Sequence, residues 1–139
     1  MSKTILQDVL FKNTLPSSLY AIYMNEEKHS VATGAPAQIA DTEGSSFSAH
    51  NGYITGKNLQ LIKDRLIVQT WRAQSWSSDE VDSTFILHFE PQENDTLLHV
   101  IHANVPGDAF NDLNSGWHKM YWEPFRLYLA GTPISKAAM

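Results

Sequence analysis

The segment GWHKMYWEPFRLYLAG, residues 116–131, constrains the fold more than any other part of the chain. On a helix, with about 100° between successive residues, the large side chains of this region gather on one broad arc and leave a narrow polar strip. The residues on that arc are Leu113, Trp117, Met120, Tyr121, Phe125 and Tyr128, and Trp122 and Leu129 widen it. Such a helix must be covered on well over half of its circumference, so we expect the rest of the chain to wrap around it. Pro124 removes one hydrogen bond within the helix, which predicts a bend.

The middle of the chain supplies the surface that covers this helix. Between residues 38 and 105 the hydrophobic period is two, and turn signals such as Asn51-Gly52 separate the runs, which predicts antiparallel hairpins. Strands are predicted at residues 4–11, 37–42, 46–49, 53–62, 66–74, 81–90 and 96–105. Two short helices are predicted between residues 15 and 33, with Pro16 in the first turn of one and Asn25 as the cap of the other. The expected fold is α+β, a curved antiparallel sheet of six or seven strands around a long C-terminal helix.

Composition excludes several classes of function. The 139 residues, 42% hydrophobic and 18% charged, fit a single globular domain over residues 1–139, with a flexible tail at residues 131–139. The net charge of −5 and the scattered basic residues argue against a nucleic-acid partner. No stretch approaches the roughly 20 apolar residues of a membrane span. Without a recognisable signal peptide, we expect a cytoplasmic protein.

Metal and cofactor chemistry is not predicted. The chain contains no cysteine, which excludes thiolate metal sites and disulfides. His99 and His102 lie three residues apart on a predicted strand and would point to opposite faces, so they cannot share one ion. No nucleophile motif or phosphate-binding loop occurs either. We therefore expect no metal, no cofactor and no catalytic residue.

Two stretches resemble one known family over most of the chain. The run GSSFSAHNGYITGKNLQLIKDRLIVQTWRAQSW carries spaced glycines followed by an Ile-Val and a Trp-Arg, and the closing VPGDAFNDLNSGWHKMYWEPFRLYL carries a Val-Pro, an acidic stretch and Gly-Trp before Tyr-Trp-Glu. Both are similar to the C-terminal domain of the activator of the heat-shock-protein-90 ATPase and its homologues. That resemblance implies a START-like (SRPBCC) helix-grip fold. It also implies a cavity between helix and sheet for a small hydrophobic ligand, and contact with a chaperone of the heat-shock-protein-90 type.

The same resemblance suggests which residues line the cavity, although an aromatic stripe at helical spacing is also what an ordinary core requires. The cavity candidates are Trp71, Phe85, Leu87, Leu98, Val100, His102, Trp117, Tyr121 and Phe125. The alternative function, a cyclase- or hydrolase-like enzyme, needs two convergent polar groups in the cavity. For that role the sequence offers only His102, Tyr121 and Arg72.

A partner surface is predicted on two parts of the chain. One is the loop at residues 75–80, in which Trp76 stands beside Asp79 and Glu80. The other is the outer face of the last strand, where Leu97 and Ile101 are more apolar than the family resemblance leads us to expect. The alternatives for these two residues are a dimer contact or no functional role. A chaperone docked there would make a small, transient interface.

Overall fold

The computed structural model describes residues 1–131, so all of the tail predicted at residues 131–139 except Gly131 lies outside the described residues. Within residues 1–131 the strands are β1 (Ser2–Phe11), β2 (Ser46–Ala49), β3 (Ile54–Ile62), β4 (Leu66–Ala73), β5 (Ser83–Gln92) and β6 (Asp95–Pro106). All six belong to one curved antiparallel sheet with the order β1-β6-β5-β4-β3-β2. The predicted α+β architecture is confirmed, with six strands in the described part of the chain.

Two short helices follow β1, as predicted. They are α1 (Pro16–Met24) and α2 (Glu26–Thr33). Asn25 caps α2, because its side-chain oxygen accepts the Lys28 N–H at 2.9 Å. Gly34 ends α2 in the left-handed conformation, with φ of 78°. Among residues 1–131 we find no helix with the length and apolarity that a membrane crossing requires.

The C-terminal helix (residues 110–129) packs against the inner face of the sheet. It is α-helical over Phe110–Trp117 (α3), π-helical over His118–Trp122 and α-helical again over Glu123–Leu129 (α4). The irregularity predicted at Pro124 takes the form of this wider turn, in which the N–H of Glu123 donates to the carbonyl of His118. Trp122, predicted to widen the apolar arc, is fully buried, whereas Met120, predicted on the covered arc, is 49% exposed.

The prediction of a strand at residues 37–42 is wrong. This segment makes one bridge, at Gln38, to β2. Beyond that bridge, the buried Asn58 side-chain amide donates to the carbonyls of Ala40 and Thr42 at 2.9 and 3.2 Å, in place of a neighbouring strand. The segment therefore runs as an irregular loop over the edge of the sheet.

Candidate functional site

A pocket of about 330 Å³ lies between the C-terminal helix and the β3–β4 end of the sheet, and it opens to solvent. It is lined by His50, Tyr53, Ile54, Trp71, Asp112, Leu113, Gly116, Trp117, Met120 and Tyr121. Most of this lining is apolar or aromatic. Sites for small molecules commonly measure about 300–1,000 Å³, so this pocket suits a ligand of one or two rings.

Gly116 provides the open space of the pocket on the helix side. Asp112, Gly116 and Met120 are four residues apart along the helix and therefore share a face. A Cβ atom built at Gly116 would meet no atom within 4 Å, so the volume that a side chain would fill is empty. Glycine inside a helix costs about 1 kcal/mol relative to alanine. Neither packing nor a positive φ requires glycine here, and its effect is to leave the pocket open.

The wall formed by Trp117 is held by a buried chain of hydrogen bonds. The Trp117 indole N–H donates to His102 Nδ1 at 3.1 Å, His102 Nε2–H donates to Ser83 Oγ at 2.8 Å, and Ser83 Oγ donates to the Trp71 carbonyl at 2.6 Å. Because an indole N–H can only donate, His102 must be the neutral tautomer with its proton on Nε2. Burial lowers the pKa of His102 to about 3, which keeps the imidazole neutral at pH 7.

The Tyr121 wall is fixed in a similar way by a second histidine. The Tyr121 hydroxyl donates to His29 Nε2 at 3.1 Å, and His29 Nδ1–H donates to the Tyr23 carbonyl at 2.9 Å. Since a carbonyl can only accept, His29 is neutral with its proton on Nδ1. Burial lowers the pKa of His29 to about 4 and raises the pKa of the Tyr121 phenol. Neither phenol nor imidazole in this pair is available to a ligand.

Two side chains of the pocket wall keep unused hydrogen-bonding capacity within residues 1–131. Trp71 is 4% exposed, and its indole N–H has no partner there. No fully buried side-chain nitrogen or oxygen in that range lacks a partner, so this N–H must reach accessible space. The half-buried His50 ring stands nearly perpendicular to the Tyr121 ring, 5.5 Å between centroids, and burial lowers its pKa. A ligand in the pocket could bond to both groups.

The rim of the pocket carries a carboxylate. Asp112 is exposed at the rim, and the ion pairs found among residues 1–131 all involve other side chains. Its position one helical turn before Gly116 places it beside the open space.

The structure brings three of the nine predicted cavity residues to the pocket, namely Trp71, Trp117 and Tyr121. The other six are buried in the core behind these walls, each at most 1% exposed: Phe85, Leu87, Leu98, Val100, His102 and Phe125. Sequence reasoning overlooked His50, Tyr53, Asp112 and the role of Gly116. The four-residue spacing of Asp112, Gly116 and Met120 was a signal that could have found the helix side.

The three residues that the sequence offers for the enzyme alternative do not converge on the pocket. His102 and Tyr121 are engaged in the buried chains described above. Arg72 lies on the outer face of β4, where its guanidinium binds the carbonyls of Ser77 and Glu80 at 2.5 and 2.6 Å. In the part of the chain that the structure describes, no group of three or more His, Asp or Glu side chains is arranged to hold a metal ion.

One residue of the predicted partner surface, Trp76, packs against the pocket wall instead of standing free on the surface. Trp76 is half-buried instead of exposed, because its ring packs against Trp71 with 5.6 Å between centroids. Asp79 is exposed and Glu80 half-buried in the same loop. On the outer face of the sheet, Leu97 and Ile101 are both half-buried.

His99 lies between Leu97 and Ile101 on that outer face, opposite to His102, as the spacing of the two histidines predicts. Its Nδ1 lies 2.8 Å from an oxygen of Asp8 and its Nε2 lies 2.6 Å from an oxygen of Glu90. The hydrogen bonds to Glu90 and Asp8 raise the pKa of His99.

Sequence comparisons identify relatives of the chain. The family model described as activator of Hsp90 ATPase homolog 1-like protein matches residues 13–130. The activator of 90 kDa heat shock protein ATPase homolog of Dictyostelium discoideum is 30% identical over 107 residues, which are 75% of this chain and 27% of that protein. The human activator homolog 1 is 27% identical over 110 residues, 79% of this chain and 32% of that protein. The chain thus spans about a third or less of the length of these relatives.

Solved structures show the same fold. The crystal structure of an HSP90 activator from Plasmodium falciparum has a TM-score of 0.81 at 23% identity, covering 94% of this chain and 96% of that one. The solution structure of the Aha1 dimer from Colwellia psychrerythraea has a TM-score of 0.74 at 17% identity, covering 87% and 92%. The helix-grip arrangement of sheet and C-terminal helix is therefore common to these proteins.

Proposed function

The chain belongs to the activator of Hsp90 ATPase homolog 1-like family, and on that premise we propose that it is a non-enzymatic START-like domain that binds a small apolar ligand in the pocket at Gly116. The observation that carries this proposal is the empty volume at Gly116, in the middle of a helix that is otherwise packed with large side chains. A chain selected only for a stable core would fill this space with a side chain.

The chemistry of the lining supports an apolar ligand. Burial of apolar surface contributes about 25 cal/mol per Å², and the walls offered by Trp71, Leu113 and Tyr121 are mostly carbon. Losses of translational and rotational freedom offset much of this gain. For a single-ring ligand that fills the pocket, we expect dissociation constants in the micromolar range.

A filling substitution tests the proposal. The Cβ of a leucine at position 116 would meet no atom within 4 Å, the rest of its side chain would extend into the pocket, and it would replace glycine with a good helix former. We expect Gly116→Leu to keep or raise the melting temperature and to weaken binding of phenylbutanol, a neutral alkylbenzene probe, at least tenfold in calorimetry. The control is Ser115→Leu, which adds the same side chain at the exposed neighbouring position.

The control variant should bind phenylbutanol as the unmodified protein does. Equal affinity in the unmodified protein and in Gly116→Leu would reject the pocket as the binding site. No binding of phenylbutanol to the unmodified protein would reject the proposal altogether.

A second candidate function is contact with a chaperone of the heat-shock-protein-90 type, which family membership favours. The region shared with this chain makes up 27% and 32% of the length of the two relatives named as activators, so the contact here would be a partial one. Asp79, Glu80, Leu97 and Ile101 form the proposed surface. A cytoplasmic location, where such a chaperone would be met, is part of the same proposal.

Chaperone turnover tests the second candidate. An excess of this protein should raise the ATP turnover of the cognate chaperone modestly, and the effect should weaken as salt screens Asp79. Ile101→Ser should reduce the effect further, whereas Trp76 is unsuitable for a surface variant because its ring supports Trp71. Unchanged turnover at low salt would reject this candidate and leave the ligand proposal standing.

A further inference from the structure

We propose that the small, largely apolar ligand of this pocket carries one cationic end: it is an amine with an aromatic or aliphatic body, and its ammonium group lies at Asp112. The inference rests on the proposed function and names the ligand class of the same site. It is argued from the charge of the lining and from the hydrogen-bonding groups that remain available there.

The formal charge of the lining is negative. Among the described residues around the pocket, Asp112 alone carries a charge at neutral pH, since neither lysine nor arginine lines it. His50 does not oppose a cation, because its half-buried imidazole has a lowered pKa and is neutral at pH 7. The net charge of the whole chain, −5, acts in the same direction.

The carboxylate of Asp112 is placed where a ligand in the pocket would meet it. One helical turn separates it from Gly116, so the carboxylate stands next to the open space and beside apolar walls. It forms no ion pair within residues 1–131. A charge pair at the edge of an apolar cavity is screened less than one in open water, so an ammonium group there gains more than it would on a plain surface.

The hydrogen-bonding groups left to a ligand favour an amine over an acid. The hydroxyls of Tyr121 and Tyr53 are engaged, the first with His29 and the second with Ser75 Oγ at 2.7 Å. An ammonium group would find two acceptors, the Asp112 carboxylate and the neutral His50 ring. A carboxylate ligand would be repelled by Asp112 and would find at most the donors of Trp71 and His50.

Aromatic side chains strengthen the preference for a cation. Tyr53, Trp71 and Tyr121 all line the pocket, and the faces of such rings attract cations through their quadrupoles. A protonated amine on a short chain could therefore reach the rim carboxylate while its body stays among the rings. The pocket volume of about 330 Å³ limits that body to roughly the size of an alkylbenzene.

A matched series of probes tests the inference. Phenylbutylamine, phenylbutanol and phenylbutyrate share one body and differ in the charge of the end group. At pH 7 and low salt, we expect the amine to bind the unmodified protein five- to tenfold more tightly than the alcohol, and the acid to bind most weakly. Asp112→Asn should abolish the advantage of the amine and change the affinity for the alcohol by less than twofold.

Asp108→Asn is the matched control. Asp108 is an exposed acid in the turn before α3 and does not line the pocket, so this variant should keep the preference for the amine. If amine and alcohol bind the unmodified protein equally well, or if Asp112→Asn keeps the preference, the inference fails while the proposed function stands. If no member of the series binds, both fail.

Discussion

Two buried histidines, which are in opposite neutral tautomers, form hydrogen bonds that hold the walls of the pocket. His102 accepts from the Trp117 indole, and His29 donates to the Tyr23 carbonyl. Protonation of His102 would turn its acceptor nitrogen into a donor that faces the indole N–H, and protonation of His29 would force the Tyr121 hydroxyl to accept instead of donate. Either event would place a charge in the core. The geometry of both walls therefore depends on neutral histidines.

Acid should destabilise the protein through these two residues. The pKa of His102 is about 3 and that of His29 about 4, both below the ordinary value of 6.5 that the unfolded chain retains. Below pH 6.5 the unfolded chain binds protons that the folded chain does not. The free energy of unfolding should then fall as pH drops from 6.5 toward 4, by up to about 1.4 kcal/mol per pH unit for each histidine. Urea unfolding at a series of pH values measures this slope.

The pKa of His99 is shifted in the opposite direction, so its effect on the pH dependence of stability is also opposite. It serves as an internal reference for the two buried histidines. Because its pKa is raised above 6.5 by Glu90 and Asp8, its contribution to stability is complete below pH 6.5 and is lost as pH rises through the folded-state pKa. Imidazole NMR signals distinguish the residues. His29 and His102 should stay neutral down to pH 5, while His99 should titrate above 6.5. A midpoint near 6.5 for either buried histidine would contradict the assignment.

Substitution by alanine should change the stability of the protein in opposite directions at two glycines, one on a strand and one on a helix. On β3, a Cβ at Gly56 would collide with the Thr70 carbonyl and lie 2.5 Å from the Phe47 ring. On α3, a Cβ at Gly116 would enter open space. We expect Gly56→Ala to lower the free energy of unfolding by more than about 2 kcal/mol and Gly116→Ala to raise it by up to about 1 kcal/mol.

Chemical denaturation of the two alanine variants measures both changes in the free energy of unfolding. The comparison is internal, since both variants add one methyl group to the same protein. Destabilisation by Gly116→Ala comparable to that of Gly56→Ala would mean that the space beside the helix is not empty.

Sequence patterns predicted the helices and strands well. They did not predict where a side chain, in place of a neighbouring strand, forms hydrogen bonds with backbone carbonyls. The period of two predicted five of the strands after β1, and the capping role of Asn25 was correct. Residues 37–42 share that period, but Asn58, distant in sequence, binds their carbonyls, and no local pattern reports this. The bend at Pro124 was predicted, whereas its form, a π turn that includes the buried Trp122, depends on packing against the sheet.

At the scale of the whole molecule, the site was predicted less completely than the fold. The apolar arc on the helix and the alternation of the strands predict a sheet wrapped around a helix. They do not predict where that wrapping leaves a gap. Phe85 and Leu87 face the interior as expected, but both are fully buried, and Phe85 stacks directly on Trp117 with 4.2 Å between ring centroids. The gap is at the β3–β4 end, beside a glycine, and tertiary packing alone determines that position.

The tryptophan indole N–H signals in a two-dimensional NMR spectrum offer the most direct test of the pocket. The chain has four tryptophans. The N–H of Trp117 is engaged with His102 and that of Trp122 with Gln7 at 2.9 Å, whereas that of Trp71, a residue that lines the pocket, has no partner within residues 1–131.

On titration with phenylbutanol, we predict a saturable shift of the Trp71 indole signal together with the Gly116 amide, while the Trp122 signal stays in place. Saturable shifts confined to Trp76 or to the outer face around Leu97, or the absence of any saturable shift, would contradict the claim that this pocket binds a ligand.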